Sequence, residues 1–230
     1  MNEEIEEFLE VRESSKAKRP KIRYRRGTFV AVIPEGLEVD TQKFIEENSD
    51  WIAKHLEEAR EYREKVPERD LRPGGEISVL GEDREILVKK QRSNRVDEKI
   101  FLAEHLVDQT CFMDQLEKSL RSFARGKFQE KASEYIEYIS GDYEKIFVRD
   151  QSTRWGSCST KNNLNFNWRL IFGPEHVLEY VVVHEIVHLE ESNHSEKFWD
   201  RVEELCPKYK RSEKWLEEES AKLIFDKSGL

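Results

Sequence analysis

The segment from Val177 to Leu189, VLEYVVVHEIVHL, constrains this chain more than any other. Val177, Leu178, Val181, Val182, Ile186 and Leu189 recur at helical spacing, and Pro174 suits a helix start because its missing N–H costs nothing there. A helix with that apolar stripe belongs in a core. Yet His184 and His188 stand four residues apart on it, so their imidazoles share one face. Histidines on apolar faces are usually core residues with satisfied hydrogen bonds. This pair has a second use, because two such nitrogens can hold one metal ion.

Glu185 follows the first histidine and can reach a water on that metal, the HExxH arrangement with Glu as general base. A shuffled chain of this composition is expected to hold about 0.025 copies of the motif, so chance is a modest explanation. His194 comes six residues after His188. Asn193 and Glu196 have the spacing of a capping box, which predicts that His194 opens the next helix. A two-helix corner would turn His194 back toward the first pair. Catalytic zinc takes three protein ligands and keeps one position open, and three histidines supply that. A closed structural site needs a fourth ligand, for which Cys158 is the candidate.

The remaining sequence bounds the setting. In 230 residues, 38% are charged and the net charge is −9, so a globally basic nucleic-acid binder is excluded although a local basic patch is not. No run approaches the roughly 20 apolar residues of a membrane span. Residues 1–13 are acidic, predict a short helix or frayed arm, and lack the apolar stretch of a secretory signal. Cys111, Cys158 and Cys206 are far apart and form no CxxC pair, which points to reduced thiols in a cytoplasmic protein; Cys111 and Cys206 read as ordinary buried thiols.

The chain reads as a β-hairpin-rich region over 1–110 and a catalytic region over 111–230, together making one compact unit. Hairpins are predicted over 22–33 and 76–90, a helix capped by Thr41 running to about Lys65, a strand over 99–107 and a long helix over 114–139. Strands follow over 144–149 and 163–172, then helices over 174–190, 194–205 and 212–225, the last packed on the core. Residues 16–26, KAKRPKIRYRR, hold seven basic residues and no acid. They fit a solvated edge strand, or a contact with nucleic acid.

RWGSCS (154–159), LNFNWRLI (164–171), VVVHEIVHLEESNHSEKFW (181–199) and Cys206-Pro207 resemble the YgjP-like metal-dependent hydrolases, a family within the zincin superfamily of metallopeptidases. The resemblance implies an α+β, zincin-like fold in which a small sheet packs on the HExxH helix. It implies one Zn2+ held by His184, His188 and His194, with Glu185 catalytic. The histidine spacing also matches metzincins, but Glu191 stands where those have glycine and no Met follows.

In zincins an edge strand beside the active-site helix commonly binds substrate, and RWGSCS or strand 163–172 can serve. The substrate candidates are therefore Arg154, Trp155, Gly156, Ser157, Asn165 and Arg169. Trp155 fits the core equally well. Arg154 and Arg169 can meet an anionic group or a developing oxyanion, or make structural ion pairs with Glu179 or Asp150. The leading function is a zinc metallopeptidase acting on polypeptide. The alternatives are a nucleotide phosphoanhydride hydrolase, with Arg149, Arg154 and Arg169 on the phosphates of a small phosphorylated substrate, and a nucleic-acid-associated zinc module using residues 16–26.

Overall fold

The computed structural model describes residues 3–25, 27–151 and 154–225, a mixed α+β chain of small sheets and helices. Two compact units emerge, Met1–Pro67 and Glu68–Leu230. The division expected at residue 110 thus falls inside the second unit.

The first unit comprises α1 (Glu3–Glu6), β1 (Leu9–Ser14), β2 (Lys21–Arg25), β3 (Thr28–Pro34), α2 (Thr41–Glu47) and α3 (Ser49–Glu64). β2 and β3 form the expected antiparallel hairpin. Gly27 closes it at φ 72°, where an added Cβ would stand 2.9 Å from the Tyr62 ring. β1 was not legible as a strand, because LEVRES carries three charges. Its state is set by parallel pairing to the apolar β3, not by local propensity. Phe29 packs with Ile45, Ile52 and Ala59, so α2 and α3 cover one sheet face. The helix expected over 41–65 is interrupted at Asn48, which leaves helical geometry while its side chain donates to the Phe44 carbonyl at 2.8 Å. Asp40, not Thr41, is the cap, accepting the Lys43 N–H at 3.0 Å.

The second unit opens with β4 (Glu76–Val79), β5 (Glu82–Lys89), β6 (Arg95–Val96) and β7 (Ile100–Ala103), ordered β4-β5-β7-β6. Leu80 and Gly81 turn the first hairpin with φ of 55° and 84°, as a two-residue I′ turn requires. Then come α4 (Glu104–Gln109), α5 (Phe112–Ile136), β8 (Lys145–Arg149), β9 (Gly156–Cys158) and β10 (Asn163–Asn167). The last three strands form a second sheet, ordered β8-β10-β9. α6 (Glu175–Val187), α7 (Glu196–Leu205) and α8 (Tyr209–Glu219) complete the unit.

The strand expected over 163–172 stops at Asn167, and Trp168–Phe172 winds into a 3-10 helix. Asn167 is fully buried; it accepts the Arg169 N–H at 3.2 Å and donates to the Gln151 carbonyl at 2.7 Å. That local cap ends the strand. Alternation could not reveal the break, because Trp168, Leu170, Ile171 and Phe172 are all buried whatever the period. The final helix likewise begins earlier than expected, at Tyr209, and gives way to a 3-10 turn over Ser220–Leu223. Its Trp215 and Leu216 pack on the core as anticipated. Cys111 is exposed rather than buried, accepting the Asp114 N–H at 3.3 Å as the cap of α5; Cys206 is half-buried.

α6 is the centre of this core. Nine of its residues from Val177 to Val187 are buried, on every side of the helix, as in the interior of a large core. α5, α7, α8, β9 and β10 surround it. Behind them Phe128 stacks on Phe166 with ring centroids 4.7 Å apart. Among the described residues, no helix is long and apolar enough to cross a membrane. Phe166 is fully buried, so Phe166→Ala should cost about 3–5 kcal/mol in urea unfolding, leaving a void between α5 and the second sheet.

Candidate metal centre

His184 lies in the last turn of α6 and His188 is its C-cap. The chain then loops back through residues 189–194. Glu190 holds that loop: it accepts the Ser140 N–H at 2.6 Å and pairs with Arg201 of α7 at 3.2 Å. Arg201 also bonds Glu204 and the Tyr138 carbonyl, tying the end of α5 to α7. The expected capping box does not form. Asn193 instead accepts the Ser195 N–H at 3.0 Å, Ser195 is the cap, and α7 begins at Glu196. His194 therefore sits in the loop just before the helix, not in its first turn.

The loop nevertheless returns His194 to the other two. One ring nitrogen from each of His184, His188 and His194 lies within 4.8 Å of the others, a group able to hold a metal ion. His184 Nε2 and His194 Nε2 are 3.0 Å apart. Nitrogens about 2.1 Å from one tetrahedral ion stand about 3.4 Å apart, so the spacing suits such an ion after small adjustments. His188 Nδ1 lies 2.9 Å from the Glu191 carbonyl. A proton placed there leaves its Nε2 lone pair free. Burial, and then the neighbouring His188 and His194, lower the His184 pKa to about 3; burial also lowers that of His188. Both are thus neutral imidazoles near pH 7, the form that ligates.

Phe198 of α7 underlies all three rings, with centroids 4.9, 4.6 and 4.8 Å from His184, His188 and His194. Trp199 flanks His184 and His194 at 5.8 Å. The sequence reading assigned these aromatics no role. Their position four and five residues after His194 was the available signal.

Glu185 is only 6% exposed. Burial raises its carboxyl to about 8, against the opposing pull of the Cys158 backbone N–H and the Arg154 charge. Its carboxylate lies directly over Gly156, where an added Cβ would come 2.5 Å from Oε1. The glycine of RWGSCS therefore makes room for the buried acid.

A cleft of about 720 Å³ opens in front of Glu185 and the histidines, lined also by Arg154, Ser157, Thr160, Leu189 and Ser192. β9 forms one wall at the edge of its sheet. Trp155 and Ser159 bond across to Asn167 and Asn163, so the backbone groups of Gly156 and Cys158 face away from β10. β10 lies between β8 and β9 and has no free edge, which removes strand 163–172 as a docking edge.

The other expected substrate residues are dispersed. Ser157 lines the cleft, but Asn165 donates to the Ser157 carbonyl at 3.2 Å and braces the strand pair. Trp155 is half-buried against the core. Arg169 pairs with Asp150, which Arg121 also meets at 3.0 Å. Arg149 lies over the Phe147 ring at 4.6 Å. Of the three arginines assigned to phosphates, only Arg154 lines the cleft. Cys158 borders the cleft but stands outside the metal-binding group, its thiol directed to the Ser159 carbonyl at 3.7 Å.

Two consequences can be measured. Gly156→Ala should displace Glu185 and reduce catalytic turnover while leaving metal affinity within a few-fold, read by competition with a chelating dye. In metal-free protein, Glu185→Gln should raise stability with a definite pH dependence. Below about pH 4.5 the carboxyl is neutral in both folded and unfolded states, so the two proteins match. Between there and about pH 8 only the unfolded state ionises, which lowers the stability of the parent. A gain of about 2–4 kcal/mol is expected in the variant at pH 8, fading to nothing at pH 4 in thermal melts.

A solved structure described as the metallopeptidase zymogen of Pyrococcus abyssi abylysin is similar at 23% identity, covering 40% of this chain and 90% of that one, with a TM-score of 0.34. No curated protein matches the chain. The family model described as YgjP-like, metallopeptidase domain, matches residues 18–219. The chain belongs to the YgjP-like metallopeptidase family.

Proposed function

We propose that this protein is a zinc-dependent peptidase with a zincin-like site, cleaving polypeptide bound in extended form along β9. One observation carries the reading: three imidazole nitrogens converge within 4.8 Å, beside a buried carboxylate and a sheet edge open to a cleft.

His184, His188 and His194 would hold the ion. Imidazole ligands suit zinc, and three protein ligands leave a position open. Zinc so held supplies Lewis-acid polarisation of a carbonyl and a water acidic enough to lose its proton near neutral pH. Glu185 would accept a proton from the attacking water on its carboxylate and return it to the departing amine. Without a cation, burial alone would leave this carboxyl largely protonated at pH 7. With a cation held by the histidines, Glu185 would be favoured in its ionised form and could act as a base. Gly156 and the Cys158 carbonyl face away from β10, while the Cys158 N–H goes to Glu185, so a substrate strand can add at the remaining groups through main-chain hydrogen bonds. Arg154, at the same cleft, is placed to meet negative charge on substrate or on a developing oxyanion.

The test is cleavage of an unfolded polypeptide by zinc-loaded protein, compared with Glu185→Gln. The variant should lose about 10²–10⁴-fold in turnover and still bind one equivalent of zinc. Nucleoside triphosphates run in parallel as a control. Phosphate release abolished by the same substitution, with no peptide cleavage, would overturn the peptidase reading.

A further inference from the structure

The basic segment 16–26, of which Arg26 lies outside the described residues, finds no use in the metal centre, and the fold of the first unit gives residues 16–25 a specific setting. The sheet ordered β1-β3-β2 has one face covered by α2 and α3 through Phe29. The opposite face is laid out by the strand register. Val30 lies between Glu10 and Arg23, and Val32 lies between Arg12 and Lys21. Both valines are half-buried, while Arg12 and Arg23 are exposed. The β1–β2 connection adds exposed Lys16, Lys18 and Arg19.

A shallow dent of about 400 Å³ lies on this face. Arg12, Lys16, Lys21 and Arg23 line it, against a single carboxylate, Glu13. Arg12 is already paired with Glu10 at 2.6 Å. Among the described residues, no carboxylate lies within ion-pair distance of Lys16, Lys21 or Arg23. In a chain of net charge −9, that is a concentration of positive charge that Glu10 and Glu13 offset only in part.

We propose that this sheet face binds the sugar-phosphate backbone of single-stranded nucleic acid. Three features favour a phosphodiester chain over other anions. Lys21 and Arg23 project from one face of a strand two residues apart, about 6.7 Å along its axis, a spacing comparable to successive phosphates in an extended strand. Arginine and lysine together suit phosphate oxygens, arginine by its planar fork. The apolar floor of Val30 and Val32 contributes no aromatic platform, so recognition follows the backbone and is indifferent to base sequence.

The experiment uses the full-length protein and a fluorescent 20-nucleotide oligodeoxythymidylate, with anisotropy followed from 50 to 300 mM salt. Binding is expected to weaken with a log–log salt slope of about −2 to −3, as neutralising three to four single-strand phosphates gives. Arg23→Glu, and separately the loop variant Lys16→Glu/Lys18→Glu/Arg19→Glu, should each weaken binding at least tenfold. The loop variant touches no strand, so its loss of binding cannot be ascribed to an unfolded sheet; unchanged thermal melts confirm that for both. Absence of binding at 50 mM salt would overturn the proposal, as would binding that both charge reversals leave intact. A 20-residue polyglutamate that binds as tightly as the oligonucleotide, and is lost in the same variants, would assign the face to acidic polypeptide instead and equally overturn it.

Discussion

The site depends on a conflict inside α6. That helix is apolar on all sides and enclosed by other elements, yet its last turns carry a carboxyl and two imidazoles into the core. A buried carboxylate without partners is strongly disfavoured. The neighbouring chain resolves the conflict with a glycine over which the carboxylate fits and a backbone N–H that it can accept, both from β9. The small second sheet is thus part of the site and not only a support for it. Its edge must lie close enough to α6 for Gly156 to meet Glu185, which any side chain at that position would prevent.

The third histidine is secured differently. His194 is outside regular structure, and its position is inherited from the Glu190–Arg201 pair, the Ser140 N–H and the Phe198 ring. Arg201 is only partly exposed and has several partners at once, so this arrangement is stiffer than a lone surface ion pair. Phe198 contacts all three imidazoles from a fully buried position. It limits their tilt without competing for their lone pairs. Among the described residues of this group, His184 Nδ1 is buried without a hydrogen-bond partner, an arrangement that costs stability.

Much of this was legible in the sequence because it follows from local periodicity. The i, i+4 histidines, the apolar helix that bears them and the two hairpins rest on spacing and turn residues within a few positions of each other. What was missed rests on contacts between distant segments. β1 looks like an acidic arm until β3 is beside it. The break at Asn167 and the offset start of α7 arise from single side-chain-to-backbone bonds that compete with the expected pattern. Arg169 was equally plausible as a substrate ligand or an ion-pair partner until Asp150 was placed against it. The Gly156–Glu185 contact joins residues 29 positions apart, and nothing in either segment alone announces it.

In the proposed mechanism that contact would tie substrate binding at β9 to proton transfer by Glu185. The Cys158 N–H that Glu185 accepts belongs to the outward-facing edge of β9, the same edge a peptide would pair with. A carboxylate that accepts this bond is favoured in its ionised form, and one that loses it is returned to the full effect of burial. The Cys158 N–H thus opposes the effect of burial on Glu185, and it is β9 that supplies it. β9 is only three residues long, paired to β10 on one side and bonded to Glu185 of α6 on the other. Edge and base form one mechanical element, which explains in physical terms why a glycine, a short strand and a buried glutamate occur together here.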